Sequence, residues 1–444
     1  MRERIAWLKR DLSTLELLAL GYSDVSSTYY FTLGIVALNS GPLLPVTMLL
    51  GSLSLWLVGL AYAEFGSAIP RTGGAYYYVH RELGDTWGFI AGWLLSFDQI
   101  LMIAYGALGT INYLSAIIPL VSRWPINSVL SILVIVMIMV INILGIKASA
   151  RFNLTLLTID LLGIMTLLVL GYYLVISRGI TMPRLSFNYA YLIHGLTYSF
   201  RGGYTGIDVI AQSTGGEAMT PYISVPRAII SVSALSTAVA LLISLLTILS
   251  GALTAVSSNT GDPIGALARY LLNNTYLSAY ISISIAIVLL ISVNAGIVDF
   301  SRSIYVMSED GLLPGRLSSV HGRYRTPHLA IIISSLVAML FVIPGSVELI
   351  ADSYAIASTM VYLMTMIALI IFRNKEPHLM RYFRIPGVVI RRLEIPIVSI
   401  IGIAIYTFSI ILIIIIKSIY VLVVLSWLSI GMLLYMLNRS SRRT

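Results

Sequence analysis

The stretch that decides the fold lies near the middle of the chain. Residues 190–216 read AYLIHGLTYSFRGGYTGIDVIAQSTGG, long enough to cross a bilayer, and RGGYTGID interrupts this segment at 201–208. Its glycines, Gly202, Gly203 and Gly206, each lower the helix preference by about 1 kcal/mol. Freed backbone groups are tolerated in hydrocarbon only where they line a cavity or find a partner. The segment therefore predicts an interrupted transmembrane helix with a polar site near mid-membrane.

The composition indicates a membrane protein. Of the 444 residues 58% are apolar and 11% charged, whereas soluble chains have about 45–50% apolar and about 25% charged residues. The absence of cysteine excludes disulfides, thiolate metal sites and thiol nucleophiles. The net charge of +9 is spread over separate loops, so nucleic-acid binding is a poor interpretation.

About twelve apolar segments predict an all-α polytopic membrane protein. The expected spans are 15–38, 43–63, 86–118, 126–148, 154–177, 190–216, 226–256, 276–307, 328–346, 354–372, 395–416 and 419–438. We expect a single transmembrane transporter domain covering 1–444, because no loop is long enough to form a soluble module.

The order of the spans fits an inverted repeat of five helices. In this interpretation a cytoplasmic tail, 1–14, precedes a first repeat at 15–177 and a second at 190–372, and two additional helices follow at 395–438. Most of the 28 Lys and Arg residues fall in segments on the same side as the N-terminus. The positive-inside rule then predicts that both termini are cytoplasmic, in a plasma-membrane protein.

The first span is also expected to be unwound. Residues 22–28 read YSDVSST, five polar side chains within an apolar run. The two expected breaks predict one shared substrate site, unless they are kinks filled by helix packing. Its candidate residues are Asp24, Ser26, Ser27, Gly202, Gly203, Tyr204, Gly206 and Asp208.

Acidic residues within the spans point to a cation. Asp24, Asp98, Asp160 and Asp208 lie well inside predicted spans, and Asp299 lies nearer one end of the eighth. Each central acid opposes insertion by about 2.5–3.5 kcal/mol, so four oppose it by about 10 kcal/mol. The single central Arg cannot neutralise four carboxylates, so some must be protonated or face a cation. Cation-coupled transport is the natural interpretation, with Asp160 and Asp98 as candidate coupling groups.

Motifs for other chemistries are missing from the sequence. It has no H-E-x-x-H, G-x-S-x-G, phosphate-binding loop or G-x-G-x-x-G, and its five histidines lack ligand spacing. We therefore expect no enzyme activity, no cofactor and no structural metal.

Three stretches resemble the permeases of the amino acid–polyamine–organocation superfamily, which have a LeuT-type fold. YAEFGSAIPRTGGAY at 62–76 is similar to the family's first cytoplasmic loop, and YTGID at 204–208 to its aromatic-x-Gly-x-acid motif. SEDGLLP at 308–314 follows the eighth span as in those permeases. The resemblance implies broken helices 1 and 6 around the substrate site, and amino acid transport by alternating access. Together with the intramembrane acids, it leads us to expect coupling to H⁺ or Na⁺.

Two departures from that family favour a second interpretation. DVSST at 24–28 replaces the family's Gly-Ser-Gly type signature, and Asp160 stands where many relatives have lysine. With Asp98, these residues partly resemble Kup-like potassium transporters, and Asp24 and Asp98 are candidate Na⁺ or K⁺ ligands. The alternatives to amino acid transport are thus potassium uptake and an organic cation or polyamine permease. The expected partners are the lipid bilayer, a small-molecule substrate and a coupling cation.

Overall fold

The structure is a computed structural model that describes residues 12–179, 188–202, 204–345, 347–416 and 418–441. The helices are α1 Thr14–Ser40, α2 Leu44–Ala68, α3 Gly74–Leu83, α4 Asp85–Leu114, α5 Ile126–Leu144, α6 Ile146–Arg178, α7 Tyr189–Gly202, α8 Asp208–Glu217, α9 Pro221–Leu249, α10 Leu253–Ser258, α11 Pro263–Leu272, α12 Thr275–Glu309, α13 His328–Val342, α14 Val347–Lys375, α15 Ile397–Ile416 and α16 Ser418–Ser441. One hairpin of β1 Gly387–Ile390 and β2 Leu393–Pro396 precedes α15.

The prediction of an all-α polytopic membrane protein is confirmed. Within the described residues nine stretches are long and apolar enough to cross a membrane, and the first of them, Thr14–Ala68, contains both α1 and α2. The shorter α13 and the α7–α8 pair complete the twelve predicted segments. Large apolar side chains on the outer helices, such as Leu133, Ile415 and Leu437, are exposed, as expected on a surface that faces lipid.

The first span differs from the prediction because α1 is continuous from Thr14 to Ser40. The expected unwinding is therefore wrong. Hydroxyls of four residues in this stretch bond to the helix itself: Ser23 donates to Leu20, Ser26 to Ser23, Ser27 to Asp24 and Thr28 to Val25, always to the carbonyl three residues earlier. Such bonds satisfy the hydroxyls without opening the helix.

Three other elements were not predicted. The amphipathic helix α3 packs against α4, α8 and α14, and α11 packs against α1, α6 and α12. The β-hairpin is the third. The predicted third and fourth spans are also too long, since α4 ends at Leu114 and α5 at Leu144. Gly145 ends α5 with φ +130°, a backbone conformation that L side chains rarely adopt.

The central helices are α4 and α12, which are buried along most of their apolar length and pack extensively on each other. The helix pairs α2–α9 and α5–α13 are also in contact, and α1 packs against α7 and α8. In the order of the spans, these pairs join span three to eight, two to seven, four to nine and one to six.

A buried cluster of charges holds the hairpin to the ends of α2 and α14; we call it the Arg373 cluster. Arg373 donates from Nε to Glu64 Oε1 and from Nη1 to Glu394 Oε1, both at 2.8 Å. Its side chain and that of Glu64 are fully buried. Arg384 also bonds to Glu394, and with Arg373 it lowers the pKa of this carboxyl below its usual range. Each carboxylate here has a guanidinium partner.

Candidate functional site

The interruption of the sixth span is present as predicted. α7 ends at Gly202 and α8 begins at Asp208, and residues 204–207 between them are not helical. Tyr204 and Thr205 are buried in this connection. Gly203 lies outside the described residues.

Gly206 brings this break against α1. Its φ is +99°, and a Cβ built on it would lie 2.7 Å from Cγ of Asp24. A side chain at this position would therefore clash with the carboxylate of Asp24. The backbone N–H of Thr205 also donates to Thr28 Oγ1 at 3.5 Å. The structure thus brings the expected site residues of spans one and six together, although only span six is broken.

Ser26 and Ser27 lie on the same buried stretch of α1 as Asp24. Because each hydroxyl donates its proton to its own helix, only the oxygen lone pairs remain for a ligand. These residues are therefore close to the break, but their hydroxyl protons are already used in hydrogen bonds within α1.

Asp208 at the start of α8 is held by two neutral donors. Tyr362 of α14 donates to Oδ1 at 2.9 Å, and Gln99 of α4 donates from Nε2 to Oδ2 at 3.0 Å. The same Nε2 donates to Asp98 Oδ2 at 3.2 Å. Gln99 and Tyr362 were not predicted. Tyr362 looks like any other tyrosine of the spans, whereas Gln99, as a polar residue beside Asp98 in an apolar helix, was a usable signal.

Four acids from four helices form what we call the acid cluster: Asp24 of α1, Asp98 of α4, Asp208 of α8 and Asp299 of α12. All four are fully buried. Asp24 and Asp299 have no hydrogen-bond partner within the described part of the chain, and neither has Oδ1 of Asp98. Asp299 is in electrostatic reach of Asp208 and Asp24, and Arg302 on its own helix attracts it.

Asp160 lies in a different environment. Tyr30 donates to its Oδ2 at 3.3 Å, and Tyr22 lies 3.3 Å from both the Tyr30 and the Tyr29 hydroxyl. The Tyr29 ring packs against that of Tyr204, with centroids 5.8 Å apart. We call the series Tyr30, Tyr22, Tyr29 and Tyr204 the tyrosine chain; it connects Asp160 to the break in span six. The two candidate coupling groups therefore lie in different places, Asp98 in the acid cluster and Asp160 at the end of the tyrosine chain.

In the described ranges, no group of three or more His, Cys, Asp or Glu side chains is placed to share one metal ion. The acid cluster is thus not arranged as a metal cage.

A bundle of membrane-crossing helices with a buried, acidic break in the sixth span defines a multi-pass membrane transporter. The family model described as "Amino acid permease" matches residues 12–437, nearly the whole chain. The chain belongs to this family, so amino acid transport is confirmed as its function, and it is a permease rather than an enzyme.

Three curated relatives show the range of this family. The methylthioribose transporter of Bacillus subtilis (strain 168) is 26% identical over 88% of this chain and 86% of its own length. The branched-chain amino acid permease BcaP of the same organism is 24% identical over 97% and 93%. The cationic amino acid transporter 4 of Mus musculus is 27% identical over 83% of this chain and 60% of its own length.

Proposed function

We propose that this chain is a secondary active transporter that moves amino acids across the cytoplasmic membrane by alternating access, coupled to H⁺ or Na⁺. The observation that carries the proposal is the contact between Gly206 and Asp24. It places an unwound, buried segment of span six against a carboxylate of span one. Such discontinuous helices at mid-membrane are typical of substrate sites in transporters.

The substrate site proposed from the sequence comprises Asp24, Ser26, Ser27, Gly202, Gly203, Tyr204, Gly206 and Asp208. At the start of α8 the backbone N–H groups make only long bonds within the turn, from Val209 to the Gly206 carbonyl at 3.4 Å and from Ile210 to the Ile207 carbonyl at 3.3 Å. The positive end of the helix dipole there suits a carboxylate. Asp24 lies beside this helix end and suits an ammonium group. The two ends of an amino acid head group therefore find complementary partners at the break.

The coupling site is proposed at Asp160 and Asp98. Asp160 Oδ1 has no partner within the described residues, and Oδ2 is held only by the long bond from Tyr30. A proton or Na⁺ on this carboxylate would influence the substrate site through the tyrosine chain, which ends on Tyr204 at the break. Because Asp160 reaches the substrate site only through these tyrosines, we expect that a mutation can abolish ion coupling without abolishing substrate binding.

Alternating access is proposed to involve two inverted repeats, 15–177 and 190–372. The contacts of span one with six, two with seven, three with eight and four with nine support this proposal, because equivalent helices of an inverted repeat meet around a pseudo-two-fold axis. The Arg373 cluster would close the end of the bundle where α2 and α14 terminate. That end is rich in arginine, as expected of the cytoplasmic side. Labelling of Ser441→Cys by an impermeant reagent on intact cells would contradict this orientation.

The proposal is tested with purified protein by thermal shift, using a panel of amino acids against Rb⁺ as a K⁺ substitute. A ligand stabilises the folded state by RT ln(1 + [L]/Kd), so the shift reports affinity directly. Stabilisation by amino acids is expected. Stabilisation by Rb⁺ alone would instead favour the potassium transporter that the acidic first span suggested.

A further inference from the structure

The acid cluster contains carboxylates of two kinds. Asp208 is satisfied by Tyr362 and Gln99. Asp24, Asp299 and Oδ1 of Asp98 are buried without a hydrogen-bond partner among the described residues. Buried carboxylates without partners are costly, and proteins keep them where a ligand or a proton completes the site.

Gln99 fixes the position of one of these acids. Only the NH₂ end of its amide can donate, and it donates to both Asp98 and Asp208. Asp98 is therefore held beside Asp208, while its Oδ1 remains available. α12 packs on this point, since a Cβ on Gly296 would lie 3.1 Å from the Gln99 carbonyl oxygen. Asp299 follows less than one helical turn later, so α12 brings it to the same side of α4.

A second, independent observation also points to a ligand. The hydroxyl of Tyr354 on α14 has no partner in the part of the chain described, and this residue is only 5% exposed. Tyr354 is in electrostatic reach of Asp98, Asp24 and Asp208. The hydroxyl of Thr205, at the break, also lacks a partner there. The two hydroxyls lie close to each other beside the acids, and as neutral donors they would suit a polar substrate that enters the cluster.

The charges around the cluster do not balance. The groups that face it are Asp24 of α1, Tyr62 of α2, Asp98 of α4, Asp208 of α8, Asp299 and Arg302 of α12, and Tyr354 and Tyr362 of α14. The charged residues that act most strongly on Asp98 are all acidic. Arg302 offsets one of the four carboxylates, and the head-group ammonium offsets a second. Two negative charges remain in the cluster, and no cation is among the residues that act most strongly on Asp98.

We propose that the substrate carries a second positive charge, an ammonium or guanidinium at the end of its side chain, which binds between Asp98 and Asp299. Asp24 and the start of α8 then hold the head group, and Gln99 is a positioning residue that keeps Asp98 in place. This inference rests on the proposed transport of amino acids and specifies their class as cationic. In this arrangement Asp98 serves the substrate, and Asp160 remains as the coupling group.

The experiment compares each cationic amino acid with its neutral counterpart on the purified, full-length protein. Lysine is paired with norleucine and arginine with citrulline, and affinities are taken from thermal shifts over a concentration series. Losing one partner of a buried charge pair weakens binding by at least about 30-fold. The cationic member of each pair is expected to bind at least that much more tightly.

Two outcomes would overturn the inference in different ways. Equal affinity within each pair would show that the acids are neutralised by protons or ions, and amino acid transport would stand without the cationic specificity. Stabilisation by Rb⁺ and by none of the four amino acids would overturn the proposed function as well. This comparison uses the native chain, so it does not depend on the folding of any variant.

Variants test which residues bind the positive end of the substrate side chain. Asp98→Asn and Asp299→Asn should each reduce the preference of arginine over citrulline at least about tenfold. Asp85→Asn removes the same charge from an exposed position outside the cluster and should leave the preference unchanged. An unchanged preference in both folded cluster variants would overturn the assignment to these two residues.

Discussion

The Arg373 cluster and the acid cluster are both buried groups of charges, but they are built on opposite principles. Around Arg373, the carboxylates of Glu64 and Glu394 each meet a guanidinium at 2.8 Å. In the acid cluster, the neighbours that act on Asp98 are other acids, and its best-placed donor is the neutral Gln99. The first group is complete without a ligand and the second is not.

The difference separates charges that hold the fold from charges that serve transport. A buried ion pair is costly to break from one side only, because the remaining charge is then uncompensated. Carboxylates without a partner contribute nothing comparable to the fold, so their retention points to a substrate or a coupling ion. Changes in the Arg373 cluster should therefore reduce stability, and changes around the acid cluster should reduce transport.

The largest expected effect is the loss of transport in Gly206→Leu. The position has φ +99° and lies against Asp24, so a leucine would strain the backbone and occupy the space beside the carboxylate. We expect uptake of labelled amino acid to fall by more than about 100-fold while the protein still inserts. Uptake in cells and the amount of folded protein by size-exclusion chromatography are the measurements.

The control for this prediction is Gly322→Leu. Gly322 lies in the connection before α13, and a Cβ there would meet no atom within 4 Å. This variant should transport normally. Normal transport by Gly206→Leu as well would mean that the substrate does not bind at the break.

The next largest effect is expected on stability, in Arg373→Met. This change leaves Glu64 and Glu394 without their buried partner, and such losses cost about 3–5 kcal/mol. Arg381, whose Nε lies 3.7 Å from Glu64, compensates in part, so we expect about 3 kcal/mol. Chemical unfolding in detergent, followed by tryptophan fluorescence, measures the loss.

Arg384→Met is the matched control, since Arg384 also bonds to Glu394 but is half-exposed. Exposed ion pairs contribute less than about 1 kcal/mol. Similar losses in the two variants would contradict the distinction between a buried, stabilising cluster and its exposed edge.

The sequence predicted the number of membrane-spanning segments well because apolar length is sufficient to recognise a span. It predicted the break around Gly206 because glycine loses helix preference in every context. It failed at residues 22–28, where the same polar content is compatible with a continuous helix once each hydroxyl bonds to its own backbone. Whether a polar stretch of this kind breaks the helix or continues it depends on tertiary packing.

The partners within the site could not be predicted for a related reason. The bond of Tyr362 to Asp208 joins residues 154 positions apart, and that of Tyr30 to Asp160 joins residues 130 apart. Periodicity places each residue on a helix but does not give the rotation of one helix against another. The acids could be chosen from the sequence because charge is rare inside a span, whereas tyrosines are common there.

A smaller effect is expected for Asp160→Asn, which tests whether Asp160 belongs with the acids that serve transport. The amide mimics a protonated carboxylate and keeps an acceptor for Tyr30. Exchange of labelled for unlabelled amino acid should be nearly intact, while accumulation driven by an ion gradient should fall about tenfold or more. Proteoliposomes with and without an imposed gradient measure the two separately. Equal loss of both activities would make Asp160 part of the substrate site instead.

The smallest effect concerns Asp262, an acid outside the spans. Its carboxylate is better paired than those of the acid cluster but less completely paired than those of the Arg373 cluster. It caps α11 by accepting from Gly265 N–H at 3.0 Å and pairs with Arg269 at 2.7 Å. Burial nevertheless outweighs these contacts and raises the pKa of Asp262 to about 6. Its paired state is thus less complete than that of the Arg373 cluster.

Because this pKa is higher in the folded than in the unfolded protein, the folded protein binds more protons between about pH 4 and 6. The contribution of Asp262 to stability is therefore present at low pH and is lost as pH rises through about 6, and it amounts to about 1 kcal/mol between pH 7 and pH 5. Asp262→Asn keeps the acceptor for Gly265 but cannot titrate. Unfolding free energies in detergent at pH 7 and pH 5 should increase on acidification by about 1 kcal/mol more in the native chain than in the variant. Identical pH dependence would mean that Arg269 compensates the Asp262 charge fully, and Asp262 would then belong with the paired charges around Arg373.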